Sequence, residues 1–431
     1  MATEPTILSE RSLQEAEGEL SRLRRFSTPG KTFDELLDGL PAAVAAGMQK
    51  AIDTEIRTIE QAISRFHELR RKQSDTIRTG RETGLALVEA RLRKSWTQKE
   101  LARRLGLREQ AIQRYEAERY RSISHANFLR IASVLGVKVS AEPAPPSSGW
   151  LIANDLSDVQ ARKILKHARR YRWLEDRDTT DEKAIDALKR RIGENVVDYG
   201  APSLLRTGLS VSDHADDWLL LAWRSRVAER VRSSMEEGVP AYQPTNVEWL
   251  KRLPKLSKES DGPLQAQALL RQHGIVLVVE PQIEGLGIDG AAFLVDGTPV
   301  IGITLRHDRI DNFWFTLLHE VAHVVLHFRT GLATGFFDDS ENSAEITRDE
   351  IEAEADEFAG NLLIPDEVWR RSPVRVSNDR SIIRAFAERV GVHPAIVFGR
   401  LRKERGKYKI FSKDVGHGAI APLFGMSRKV S

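Results

Sequence analysis

Residues 319–323 read His-Glu-Val-Ala-His, inside the apolar stretch FWFTLLHEVAHVVLHF of residues 313–328. Two histidines at i and i+4 stand one turn apart on one helical face, close enough to share a tetrahedral ion. Glu320, beside the first of them, is placed to take a proton from water activated by that ion. Imidazoles and a carboxylate in so apolar a helix need compensation, and a metal supplies it. His327 is a poor third ligand: it lies two turns, about 12 Å, along the axis from His319. It reads as a helix-end histidine.

A better third ligand lies in EIEAEADEFAGNLLIP, residues 350–365. Its helical core face is Ile351, Ala355, Phe358, Ala359 and Leu362. Glu352 and Asp356 stand one turn apart at the edge of that face. A glutamate ligand followed by an aspartate suits a metal site, because the second carboxylate accepts the outer N–H of a ligating histidine. Glu350, Glu354 and Glu357 read as solvated, and Ala353, Ala355 and Ala359 let two helices approach closely.

This pairing resembles the gluzincin plan, HExxH followed by a helix bearing E-x-x-x-D. More narrowly, the run from Glu352 to Pro365 and the stretch from Asp311 to Thr316 resemble the ImmA/IrrE family of metallopeptidases over residues 260–370. The resemblance implies zinc bound by His319, His323 and Glu352, with Glu320 as general base and Asp356 supporting a ligand histidine. It also implies a protein substrate, a repressor or other regulator. Strands before the active helix would offer an edge to which a substrate peptide adds. Arg306, His307 and Arg309 are the candidates for oxyanion stabilisation.

A second signal lies upstream. WTQKELARRLGLREQAIQRYE, residues 96–116, has the arithmetic of a helix-turn-helix. Thr97 caps a short helix that buries Leu101, Ala102 and Leu105, and Gly106 supplies the left-handed turn. A second helix buries Ala111, Ile112 and Tyr115. The segment resembles the Cro-type (XRE) repressor family over residues 85–140. That implies a five-helix domain working as a dimer on operator DNA, with Gln98 at the phosphate backbone. Arg108, Glu109, Gln110, Gln113 and Arg114 lie on the outer side, where Arg and Gln read base edges.

Bulk properties agree. The chain has 431 residues, 41% hydrophobic and 29% charged, with a net charge of only +3. Its charge is segregated, with twelve Lys/Arg against five Asp/Glu in 85–140 and ten Asp/Glu against one Arg in 335–360. The basic block suits a nucleic-acid partner. The absence of cysteine excludes disulfides, thiolate metal sites and a Cys nucleophile, and fits a cytoplasmic protein. No apolar run approaches the roughly 20 residues a membrane helix needs.

These sites require a mainly α chain with a small α+β domain. Residues 1–80 form a helical arm, where Leu13, Ala16, Leu20 and Leu23, then Ile52, Ile56, Ile59, Ile63 and Phe66, recur at coiled-coil spacing. They suit either an intramolecular hairpin or a dimerisation arm. Residues 85–140 form the helix-turn-helix domain, and 141–149 a Pro/Ser/Gly linker. Residues 150–258 form a helical region with a Leu220, Trp223, Val227, Val231 stripe. The zincin-like domain occupies 260–370, with strands at 275–279, 291–295 and 300–304, and a helical segment fills 371–431. Gly285 to Gly290 satisfies GxGxxG, but no helix opens on the third glycine, so it reads as a hairpin turn. The expectation is a DNA-binding regulator with a fused zinc endopeptidase that cuts a regulator, a partner or itself. The competing expectation is a non-catalytic repressor or antitoxin using the zincin fold as a sensor or docking module.

Overall fold

The computed structural model describes residues 7, 9–27, 37–71, 83–117, 120, 123–137, 157–174, 180–199, 215–235, 238–328 and 348–426. The Pro/Ser/Gly linker at 141–149 lies outside them. The chain divides into two compact units, one comprising Thr3–Gly30 and Ile52–Ser148, the other Met1–Ala2, Lys31–Ala51 and Gly149–Ser431.

In the first unit the helix Glu10–Ser27 pairs with the later part of the helix Ala42–Arg71, from Ile52 on. Leu20, Leu23 and Ile59 form their seam, flanked by Ala16, Ile56 and Ile63, so the heptad pattern is used inside one chain. Arg24 donates to Glu60 across it at 2.6 Å. Leu13, Ala62 and Phe66 continue into the core of the helix-turn-helix, beside Leu87, Leu101, Leu105, Ile112 and Ile131. Helices Thr83–Arg93, Gln98–Leu105, Glu109–Ala117 and His125–Leu135 build that core. These are four of the expected five, and residues 138–156 lie outside the described ones.

The second unit is layered around a three-stranded sheet of order β1-β3-β2: β1 (Val276–Val279), β2 (Gly290–Val295) and β3 (Thr298–Ile303). Both faces are covered, which explains strands as uniformly apolar as VLVV. Val276, Val278, Ala291, Phe293 and Val300 face a helical layer made by Asp158–Arg170, Asp181–Tyr199 and Ala215–Met235. Leu277, Val279, Ala292, Ile301 and Ile303 face the HExxH helix, Ile310–His327. The Leu220, Trp223, Val227, Val231 stripe is fully buried in the first of these layers.

One expectation is corrected. β1 pairs with β3 in parallel, and only β2 and β3 form an antiparallel hairpin. The Gly285–Gly290 segment is therefore part of a crossover, not a hairpin turn. The chain leaves β1 at Glu280, whose buried carboxylate is held by Trp173 Nε1 and Arg230 Nη1, both at 3.0 Å, while Trp223 Nε1 donates to its carbonyl. These bonds draw the chain toward the helical layer and away from any partner strand beside β1. The strand–helix reading of GxGxxG fails as expected, since Gly290 opens β2.

The unit extends past both edges of the zincin-like segment. Val44 and Met48 lie in the same core as the HExxH helix. After the helix Pro394–Glu404, residues up to Met426 fold back on the start of the HExxH helix: Ile310 N–H donates to Val415, and Gly418 N–H to Asp308. Among the described residues, no helix is long and apolar enough to cross a membrane.

His167 in the helical layer is buried, with Nε2 lacking a hydrogen-bond partner and its ring against Tyr171 and Trp173. Burial, then the Arg170 charge, push its pKa down to about 4. The depressed value means the unfolded chain takes the proton first, so stability is full above roughly pH 6.5 and falls as pH drops toward 4. By pH 5 this one group should cost about 2 kcal/mol. Denaturant unfolding at pH 7 and pH 5 should show that loss in the wild type and a smaller one in His167→Leu.

Candidate metal centre and nucleic-acid interface

The HExxH helix is buried on nearly every side. The helix that follows in the core, Arg348–Leu363, packs against it through Ala355 and Ala359, both fully buried. Small side chains there allow the close approach that brings three groups together. His319 Nε2 lies 3.1 Å from His323 Nε2 and 3.2 Å from Glu352 Oε2, and His323 Nε2 lies 3.7 Å from Glu352 Oε1. Ligand atoms of His319, His323 and Glu352 all fall within 4.8 Å of one another. His319 Nδ1, on the far side of the ring, lies 3.0 Å from Asp356 Oδ1.

The electrostatics call for a cation. Burial works against charge on His319, but the Asp356 and Glu352 hydrogen bonds and the Glu320 charge outweigh it and hold its pKa at about 10. His323 is driven the other way, by burial and by the neighbouring imidazoles. One positive charge is thus favoured among these side chains, and a divalent ion held by two imidazoles and a carboxylate meets that demand. Glu320 is 1% exposed, and its Oε2 has no hydrogen-bond partner. Burial first, then opposing effects of His319 and Glu352, set its pKa at about 7. An orphaned carboxylate oxygen beside three converging ligand atoms fits a group that works on something bound there.

β2 is the sheet edge beside this carboxylate. A Cβ on Gly290 would stand 2.7 Å from Thr316 Cγ2 and 3.0 Å from Glu320 Oε1, so glycine permits the approach. The three oxyanion candidates are not brought to the ligands: Arg309 donates to Asp311, and Arg306 to the Gly287 carbonyl. His307 is exposed.

His327 is kept apart from the ligand set, with Nε2 3.2 Å from Glu354 Oε2. Glu354 was expected to be solvated and is instead part-buried, bridging His327 and Lys50. Its carboxyl falls to about 2, chiefly through the His327 bond. Sequence reasoning missed Lys50 and also Lys403, whose Nζ donates to Asp356 Oδ2 at 3.1 Å. Both lie far from the motifs in sequence, and neither has a local pattern that could have signalled it.

In the other unit, Thr97 Oγ1 accepts from Glu100 N at 3.1 Å, and Gly106 has φ 64°. Arg108, Glu109, Gln110, Gln113 and Arg114 are all exposed, as an interface requires. Ile112 is fully buried, whereas Ala111 and Tyr115 are only half-buried. Gln98 is half-buried, and its Nε2 donates to Glu116 Oε2 at 2.8 Å. Glu116 in turn receives Arg91 Nε at 2.6 Å and Arg91 Nη2 at 2.7 Å, both residues being almost fully buried. This bidentate pair ties the first helix of the domain to the second helix of the motif.

With both geometries in place, the comparisons are decisive at the level of domains. Residues 87–141 match the helix-turn-helix family model, and residues 271–402 match the M78 peptidase model, described as the IrrE N-terminal-like domain. The chain joins a helix-turn-helix to an IrrE N-terminal-like domain. Comparison with curated proteins and with solved structures found no match. The IrrE-like match runs beyond Pro365 to include the helix Arg380–Val390 and most of Pro394–Glu404.

Two outcomes follow from these geometries. Metal analysis of protein purified with zinc should find close to one equivalent in the wild type and in His327→Ala, and at least about tenfold less in Glu352→Ala. Glu116→Ala leaves Arg91 charged and buried, so thermal unfolding should register a loss of about 3–5 kcal/mol.

Proposed function

We propose that this chain is a DNA-binding transcriptional regulator whose IrrE-like domain is a zinc-dependent endopeptidase acting on a regulator, on a partner protein or on itself. The observation that carries the reading is the convergence of His319, His323 and Glu352 beside the buried Glu320 carboxylate, whose Oε2 has no hydrogen-bond partner. Two imidazoles and one carboxylate suit zinc. Bound there, zinc would supply Lewis-acid activation of water and of the scissile carbonyl.

The side chains divide the remaining work. Asp356 fixes the ring of His319 by accepting at Nδ1, leaving Nε2 for the metal. Glu320 is the general base: it takes the proton from the attacking water and returns it to the departing amine. Its buried position beside the edge of β2 allows a substrate strand laid along that edge to present its backbone to the carboxylate. In the other unit, the exposed Arg108, Glu109, Gln110, Gln113 and Arg114 face the bases of an operator, with Gln98 near the phosphates and a dimer spanning two half-sites.

Zinc-loaded wild type and Glu320→Gln should be compared on the chain itself and on a peptide library, with new termini read by mass spectrometry. Glu320→Gln should keep its zinc and lose cleavage by at least about a hundredfold. Zinc-loaded wild type that generates no new termini would instead support the repressor reading, with the IrrE-like fold as a docking module.

A further inference from the structure

The helix Pro394–Glu404 ends in a basic loop. Gly399–Lys413 holds seven Lys/Arg and one acidic residue, Glu404. Most of these cations are committed within the fold. Arg400 pairs with Asp366, Lys403 with Asp356, and Arg405 binds the carbonyls of Arg375 and Ser377. Lys407, Lys409 and Lys413 are exposed and have no ion pair among the described residues. Between the first two projects Tyr408, 62% exposed.

This tip is held with unusual firmness for a surface loop. Buried Arg402 donates to the Tyr408 carbonyl through Nε at 3.1 Å and Nη2 at 2.5 Å. Lys407 N–H returns to the Arg402 carbonyl, and Ile410 N–H to that of Lys407. Left-handed residues bracket the tip, Gly406 at φ 61° and Phe411 at φ 53°. For phenylalanine that conformation costs on the order of 1 kcal/mol, and it persists only where the surroundings impose it. They do so here: the Phe411 ring is buried against Phe398, centroids 5.0 Å apart, with the Arg380 guanidinium 5.6 Å from its centroid. A buried arginine and a strained aromatic residue thus hold a lysine–tyrosine–lysine tip in one shape, which lowers the ordering cost of binding.

Uncompensated lysines flanking an exposed aromatic ring match a polyanion with apolar faces, which is the chemistry of nucleic acid. We propose that Lys407, Tyr408 and Lys409 form a second, sequence-independent DNA contact on the IrrE-like unit, with the lysines on phosphates and the Tyr408 ring against sugar or base. The proposal rests on the helix-turn-helix being a DNA-binding module. Duplex held by one unit is at raised effective concentration for a basic surface on the same chain, which favours DNA over an acidic protein as the occupant.

The test uses the full chain and a fluorescent duplex of random sequence, titrated between roughly 50 and 200 mM salt. Neutralising both lysines, Lys407→Gln with Lys409→Gln, should reduce the slope of log K against log salt by about 2 and weaken binding about tenfold. Tyr408→Ala should weaken binding and leave the slope unchanged. Circular dichroism should show each variant melting like the wild type. If the double variant binds as the wild type does while Arg108→Ala with Arg114→Ala loses binding, the second contact is refuted and the helix-turn-helix reading stands. The reverse pattern refutes the helix-turn-helix reading and leaves the tip as a DNA surface. Wild type that fails to bind duplex refutes both. A double variant that loses only poly-glutamate binding assigns the tip to an acidic protein and refutes the DNA contact.

Discussion

Two imidazoles and two carboxylates crowded into an apolar helix pair are unfavourable unless a positive charge sits among them. That constraint organises the IrrE-like unit. His319, His323 and Glu320 lie where water is largely excluded, and burial alone would neutralise Glu320 and deprotonate the histidines. The surrounding structure resists that outcome by aiming His319 at both Glu352 and Asp356. A site so arranged holds charge before any ligand arrives, which is the preorganisation that binding a divalent ion requires.

The layers around the site answer to the same demand. The HExxH helix is rigid because the sheet covers one side and the helix Arg348–Leu363 another. Its start is held by the returning C-terminal segment, and the edge strand β2 reaches Glu320 because Gly290 has no side chain. Ion pairs from outside the motif, Lys50 to Glu354 and Lys403 to Asp356, hold two carboxylates of the helix that carries the third ligand. Among the described residues, the helical layer of Asp158–Arg170, Asp181–Tyr199 and Ala215–Met235 contributes no ligand. It covers the opposite face of the sheet, and its tryptophans fix the chain as it leaves β1 at Glu280.

The helix-turn-helix follows a different economy of charge. Its outer residues stay in water, while one arginine and one glutamate go fully inside and satisfy each other through two parallel bonds. Gln98 extends that pair toward the surface, so the residue expected at the phosphate backbone is also oriented from within. Rigidity of the motif's second helix and placement of the side chain expected at the phosphates thus share one buried carboxylate, Glu116.

The local sequence determined whatever depends on short-range periodicity. The i, i+4 histidines, the Glu352–Asp356 turn, the Thr97 cap and the Gly106 turn are geometric consequences of helical spacing, so they were legible without a structure. Strand positions followed from runs of apolar residues, to within one or two positions. Tertiary structure alone decided what depends on partners distant in sequence. The parallel pairing of β1 with β3 is not written in any turn, since a crossover leaves no two-residue signature. The burial of Glu354 and the lysine on Asp356 require segments some 300 and some 50 residues away to meet the same helix. Glu116 had an obvious place in the motif, but its role needed Arg91, two helices earlier, to be folded against it. Periodicity assigns a side chain to a face; only packing says which charge waits on the other side.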